Sequence, residues 1–347
     1  MESFELPKFW MPYESAGVNP GLEETDGPLW AWLDAQHLAD AAAAREYVRR
    51  TRPTLASALY HPNSESTALL PQAQYMAWAF IVDDELDDGP IGRDPAACEA
   101  AITRMIAVFD GDVADDPLTR ALGDLWPRLA EGKSMSWQKS FWAGQATWLW
   151  TTYVEAVNRV TGHIQSVPEY QQHRCNSIGE YMMMDLCEVG TRIDLPDAVR
   201  RLPAMRTLRQ SAAGQIGTFN DICSARKDMA AGNRLNLVLL LKEENELSLQ
   251  EAVERANGIA TDWLTKLNAA RAALGGQLDA AGITGDTRED ALAAADNVIA
   301  LVRGNFDYHF MAERYTDPLE RNIGAPDYVG DLLRTPQPRG RANHQVG

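Results

Sequence analysis

The sequence predicts an all-helical protein. Strand signals are scarce: no alternating run is bounded by hairpin turns. Apolar residues recur at helical spacing along most of the chain, and the segments between them carry helix caps and breakers. With 347 residues, 45% of them hydrophobic and 23% charged, the chain can bury a large core.

Residues 29–50 read as the first helix, with Ala41 to Ala44 a stretch of strong helix formers. Residues 67–84 read as a mostly apolar helix, and Gly89-Pro90 breaks the chain after it. Asp94-Pro95 resembles an N-cap followed by proline in the first turn, opening a helix to about Phe109. Helices over 117–130 and 136–160 follow. The second carries Trp137, Trp142, Trp148 and Trp150, so much of its surface is expected to be buried, with Trp148 and Trp150 as core. Ser166-Val167-Pro168-Glu169 caps a helix through about Val189. Ser177 and Gly179 inside it suggest a break, which would expose carbonyl groups. A long helix spans roughly 204–230 and ends near Gly232. Segments 236–242, 248–275 and 287–315 complete the set. No internal repeat or long linker divides the core, so residues 1–330 are expected to form one domain. The tail, 331–347, has the composition of a disordered segment.

The formal net charge of −17 argues against a nucleic-acid partner, since phosphate binding needs a basic face. No apolar run approaches the length of about 18 residues that a membrane span requires. The N-terminus lacks a secretory signal pattern, and Cys98, Cys175, Cys187 and Cys223 show no paired metal spacing. A cytoplasmic protein with reduced thiols is expected.

Four constellations carry chemistry. Asp83-Asp84-Glu85-Leu86-Asp87-Asp88 sets five acids at the end of the apolar run 75–82. Crowded carboxylates on a buried segment need a compensating charge, and hard divalent cations prefer oxygen ligands. Asp83 and Asp87 share a helix face one turn apart. Asn220, Ser224 and Asp228, at i, i+4 and i+8, place an amide oxygen, a hydroxyl and a carboxylate in one row suited to Mg²⁺. Lys227 adds a cation beside that row. Arg314-Tyr315 offers donors to a phosphate oxygen, although alone it reads as a helix C-terminus. Arg174, just before the expected break, is by itself an ordinary arginine.

Together, in this order and spacing, these elements resemble the bacterial class I terpene synthases (terpene cyclases), from Phe4-Glu5-Leu6-Pro7 to Arg314-Tyr315. The resemblance implies a single-domain helical bundle around a central active-site cavity. It implies three Mg²⁺ ions, held by Asp83 with Asp84 and Asp87 in support, and by Asn220, Ser224 and Asp228. Arg174 matches the arginine that senses diphosphate, while Lys227, Arg314 and Tyr315 match other diphosphate contacts. Ile178 or Gly179 falls where the family breaks a helix and turns a carbonyl toward the reacting cation. Trp78, Phe80, Phe219 and Tyr308 are candidate cavity-wall aromatics, which would stabilise a carbocation through their faces. Met182, Met183 and Met184 are expected to fill core. The sequence departs from the family pattern at Asp228, where Glu is usual, at Ala231, where many relatives carry arginine, and at Tyr308, where tryptophan is usual. The linker position beside the sensor arginine falls on Ser177.

The implied activity is Mg²⁺-dependent ionisation and cyclisation of a linear isoprenoid diphosphate, expected to be farnesyl diphosphate, to a cyclic hydrocarbon or alcohol. Geranyl and geranylgeranyl diphosphate are the alternatives. A prenyl chain-elongating synthase shares the fold but uses a second aspartate-rich motif, where this chain has Asn220, Ser224 and Asp228. A non-catalytic helical binding protein is the remaining alternative, and the full ligand set argues against it. Relatives are often dimers, which leaves a homodimer open.

Overall fold

The computed structural model describes residues 3–87, 89–113, 115–316 and 332–333, and all regular structure among them is helical. The chain opens with α1 (Leu22–Ala35), α2 (Ala42–Thr51) and α3 (Pro53–Tyr60). The single helix expected over 29–50 is therefore two. A turn separates them in which His37 takes a left-handed φ of 58°, with no Gly or Pro to mark it. The segment of α3 was not expected to be helical. All eight of its residues are buried, so it shows no amphipathic period.

The apolar run forms α4 (Leu69–Asp87), buried on nearly every side against α1, α3 and α6. Next come α5 (Pro95–Ala107), α6 (Pro117–Ala130) and α7 (Met135–Thr161). Asp94 caps α5 as expected, accepting the Ala96 and Ala97 amides at 3.1 Å. Along α7, Trp137 and Trp148 are buried, but Trp142 and Trp150 are 40% and 38% exposed. Trp150 is thus on the surface rather than in the core, with its ring 5.7 Å from that of Tyr153 on the same helix.

The expected break divides α8 (Val167–Ser177) from α9 (Glu180–Gly190). A Ser166–Glu169 capping box starts α8, and Gly179, at φ 75°, turns the chain between them. A short α10 (Asp197–Arg200) leads into α11 (Pro203–Ala231), which Gly232 terminates in the left-handed region. The last helices are α12 (Leu237–Glu244), α13 (Leu249–Ala280), α14 (Asp286–Met311) and α15 (Glu313–Thr316). Extended backbone at Ala312 ends α14, so Arg314 and Tyr315 stand on their own short helix rather than at the end of the long one.

The main core joins α1–α7 with α9, α14, the first half of α11 and the second half of α13. A smaller cluster lies between α11, α12 and α13. Met182, Met183 and Met184 are buried in the main core, in the filling role expected of them. Among the described residues no helix is long and apolar enough to cross a membrane. Nearly all of the tail, 331–347, lies outside the described residues.

Candidate active site

The C-terminal end of α4, the last turns of α7, the end of α8 and the second half of α11 surround a cavity of about 580 Å³. Asp83, Asp84 and Asp87 line it from α4, and Asn220, Ser224 and Asp228 line it from α11. The two oxygen rows, 133 residues or more apart in sequence, therefore face one space. Arg174, Lys227 and Tyr315 line it too. The Arg314 side chain lies outside the described residues.

The α11 row is held in place before any ligand arrives. Ser224 Oγ donates to Asp228 Oδ2 at 2.7 Å. Asn236, fully buried, donates to the same Asp228 oxygen at 2.8 Å and to the Asp221 carbonyl at 2.8 Å. Asn220 Oδ1 accepts from Arg174 at 2.9 Å, and its amide nitrogen donates to the Tyr315 hydroxyl at 2.9 Å.

Arg174 is aimed by Asp221. The Asp221 carboxylate, 2% exposed, accepts Arg174 Nε at 3.1 Å, the Tyr170 hydroxyl at 3.0 Å and the Leu237 amide at 3.0 Å. Burial raises the Asp221 carboxyl to about 6, with Arg174 pulling the other way. Burial would discharge Arg174, but Asp221, Tyr170 and other facing groups outweigh it and hold the guanidinium charged. Gly217 makes room for this arginine: a Cβ there would stand 2.9 Å from Arg174 Cγ.

On the opposite wall, Arg159 donates to Asp87 Oδ1 at 2.8 Å and to the Gly92 carbonyl at 3.1 Å. Protein packed around Asp87, then the Glu155 and Asp83 carboxylates, push its carboxyl above the ordinary range, against the pull of Arg159. Glu155 itself is held below that range: burial opposes ionisation, but His173, at 2.7 Å, and Arg159 outweigh it.

The donor set suits a divalent cation. No three His, Cys, Asp or Glu side chains among the described residues form a cage of their own. The two rows instead supply carboxylate, amide and hydroxyl oxygens around one cavity, the donor type of Mg²⁺ sites that substrate phosphates complete. Ala231 lines the cavity without a cation, while Arg93, Arg159 and Arg234 line it from elsewhere.

The expected aromatic wall is placed differently. Trp78 is fully buried between Tyr75 and Trp148, and its Nε1 donates to the Leu118 carbonyl at 2.9 Å. Phe219 is 1% exposed and packs on Phe9 and Phe306, at 4.8 and 4.9 Å between centroids. Both are core residues, because their faces of α4 and α11 point into neighbouring helices. Phe80 stacks on Tyr308 at 6.4 Å, and the Tyr308 hydroxyl donates to the Thr51 carbonyl. Neither lines the cavity. Ile178 and Gly179 form the break as expected, but Ser177 and Arg174 are the residues of that segment that reach the cavity. Sequence reading missed Asp221, Tyr170, Asn236, Arg159 and Glu155. Asp221 stood inside the Asn220–Asp228 motif, where a second acid beside the row was the available signal.

This arrangement of helices and paired oxygen rows defines a class of metal-binding helical enzyme. Residues 74–266 match the family described as terpene synthase family 2, C-terminal metal binding. The chain belongs to that family and is a terpene synthase. It is 31% identical over 317 residues to the (2Z,6E)-hedycaryol synthase of Kitasatospora setae, covering 91% of this chain and 94% of that one. It is 33% identical over 245 residues to a (+)-T-muurolol synthase of Roseiflexus castenholzii, covering 70% and 75%. The solved structure of hedycaryol synthase in complex with HEPES superposes with a TM-score of 0.80 at 31% identity, covering 90% of this chain and all of that one. An α-eudesmol synthase structure, at 21% identity and TM-score 0.80, shares the fold.

Proposed function

We propose that this terpene synthase ionises farnesyl diphosphate and cyclises the resulting cation to a cyclic hydrocarbon or alcohol, releasing diphosphate. The carrying observation is the cavity with one oxygen row on each wall and Arg174 and Lys227 beside them. Asp83, Asp84 and Asp87 would hold Mg²⁺ on the α4 wall, and Asn220, Ser224 and Asp228 on the α11 wall, with three ions expected in all. Bound Mg²⁺ supplies charge that neutralises the departing diphosphate. Arg174, fixed by Asp221, and Lys227 donate to the same leaving group. The buried helices behind the cavity keep water from the cation.

The cytoplasm as location, residues 1–330 as one domain and a homodimer as the assembly belong to the same proposal. The exposed Trp142, Trp150 and Val154 on α7 support the last. Purified protein is incubated with Mg²⁺ and the C10, C15 or C20 diphosphate, and the solvent extract is analysed. A cyclic product from the C15 substrate supports the proposal. A longer diphosphate points to chain elongation. No diphosphate release from any of the three overturns the enzymatic reading.

A further inference from the structure

Asn220 can serve a metal only through its oxygen. A side-chain amide accepts at one end and donates at the other, and the two ends have nearly the same shape, so shape alone lets either face the cavity. Mg²⁺ takes the oxygen and not the NH₂ group. Some neighbour must therefore tell the ends apart, and among the described residues three side chains hydrogen-bond to this amide. Arg174 Nη2, which can only donate, meets Oδ1 at 2.9 Å. The Tyr315 hydroxyl meets Nδ2 at 2.9 Å, but a hydroxyl both donates and accepts, so it would suit either end. His309 Nε2 meets Nδ2 at 3.2 Å. The tautomer of His309 is set from its other side. The ring is 3% exposed on α14, and its Nδ1 lies 2.8 Å from the Asn305 carbonyl. A carbonyl only accepts, so Nδ1 carries the proton, and in the neutral ring Nε2 presents a lone pair. That lone pair calls for a donor opposite it. The ring itself is wedged in place, its centroid 4.1 Å from that of Tyr315 and 5.0 Å from that of Phe219.

We propose that His309 is a positioning residue that fixes which end of the Asn220 amide is offered to the metal. This rests on the metal-site reading above. One polarity runs through the chain of contacts: Nδ1–H donates to the Asn305 carbonyl, and Nε2 accepts from Asn220 Nδ2. The amide oxygen is thereby left on the side of Arg174, which lines the cavity, while His309 itself stands behind that wall. Arg174 uses one lone pair of Oδ1, and the second can meet a cation. Turned over, the amide would set its oxygen against the Nε2 lone pair and its NH₂ group against the guanidinium. Both contacts would be repulsive, and the row of Asn220, Ser224 and Asp228 would lose one of its oxygens. Arg174 favours the same orientation, but its guanidinium is also held by Asp221 and, in the reading above, donates to the diphosphate. The contact with His309 does not depend on what the cavity holds.

Calorimetric titration of inorganic diphosphate into the protein, repeated over a series of Mg²⁺ concentrations, gives the Mg²⁺ needed for half of full binding. His309→Leu keeps the bulk and removes the acceptor, and that concentration should rise about tenfold, the worth of one hydrogen bond. Asn220→Asp then separates orientation from packing. A carboxylate has oxygen at both ends, so adding His309→Leu to Asn220→Asp should raise the Mg²⁺ requirement no further. His309→Phe, which keeps a ring against Tyr315, takes the place of the leucine variant if that one does not fold. Neutron diffraction from deuterated wild-type crystals decides the geometry without any variant: deuterons are expected on His309 Nδ1 and on the Asn220 atom that faces Nε2. A wild-type Mg²⁺ requirement in His309→Leu overturns the proposal, as does a deuteron on Nε2 pointing at Asn220. An equal rise in the Asn220→Asp background also overturns it, since the histidine would then act through packing alone. Absence of Mg²⁺-dependent diphosphate binding in the wild type instead sinks the metal-site reading beneath it.

Discussion

Asp221→Ala probes the least expected part of the site. Asp221 is 2% exposed and accepts from Arg174, Tyr170 and Leu237 at 3.0–3.1 Å. Removing it leaves the part-buried guanidinium with Asn220 and the Tyr170 hydroxyl with the Leu235 carbonyl, and takes the side-chain acceptor from the buried Leu237 amide. Losing these contacts from one side is expected to cost about 2–3 kcal/mol. The reverse change differs. Arg174→Met keeps the packed stem and leaves Asp221 with Tyr170 and Leu237, and the carboxyl, already raised to about 6, can take up a proton. That variant is expected to lose about 1–2 kcal/mol. Urea unfolding, followed by circular dichroism and by the fluorescence of the ten tryptophans, measures both. A loss below about 1 kcal/mol for Asp221→Ala, or a larger loss for Arg174→Met, refutes the reasoning that Asp221 is the pin.

Asn236→Ala frees Asp228 and Ser224 from the amide that holds them, and the Mg²⁺ concentration for half-maximal turnover should rise about 10–100-fold. Gly179→Ala forces a side chain into φ 75° and should cost about 1–2 kcal/mol in a thermal melt. Glu180 holds its proton to about pH 8, whereas the unfolded chain releases it near 4.5. The native state binds more protons across that window, so stability should fall as pH rises from about 5 to 8. Glu180→Gln should flatten that slope and gain about 2–4 kcal/mol at pH 8, and an unchanged slope in urea titrations at several pH values contradicts the assignment.

Much of the scaffold was legible because its signals are local. Asp94-Pro95 caps α5 and Gly232 ends α11, each through contacts within a few residues. The rows at 83–87 and 220–228 were legible for the same reason, being spacings on one helix. The pins were not. Arg174–Asp221 and Asp87–Arg159 join residues 47 and 72 apart, and only tertiary packing brings them together. The aromatic wall failed on a different point. Since α4 is buried nearly all round, its pattern cannot say whether Trp78 or Phe80 faces a cavity. The turn at His37 and the wholly buried α3 likewise carry no periodicity to read.

The central claim is that the α4 and α11 rows bind metal and diphosphate as one site. Calorimetric titration of inorganic diphosphate into the protein, with and without Mg²⁺, tests it directly. Wild-type protein should bind diphosphate in the presence of Mg²⁺ and not after chelation, and Asp83→Ala and Asn220→Ala should each abolish that binding while the helical spectrum stays intact. Undiminished Mg²⁺-dependent binding in either variant contradicts a site shared by the two walls.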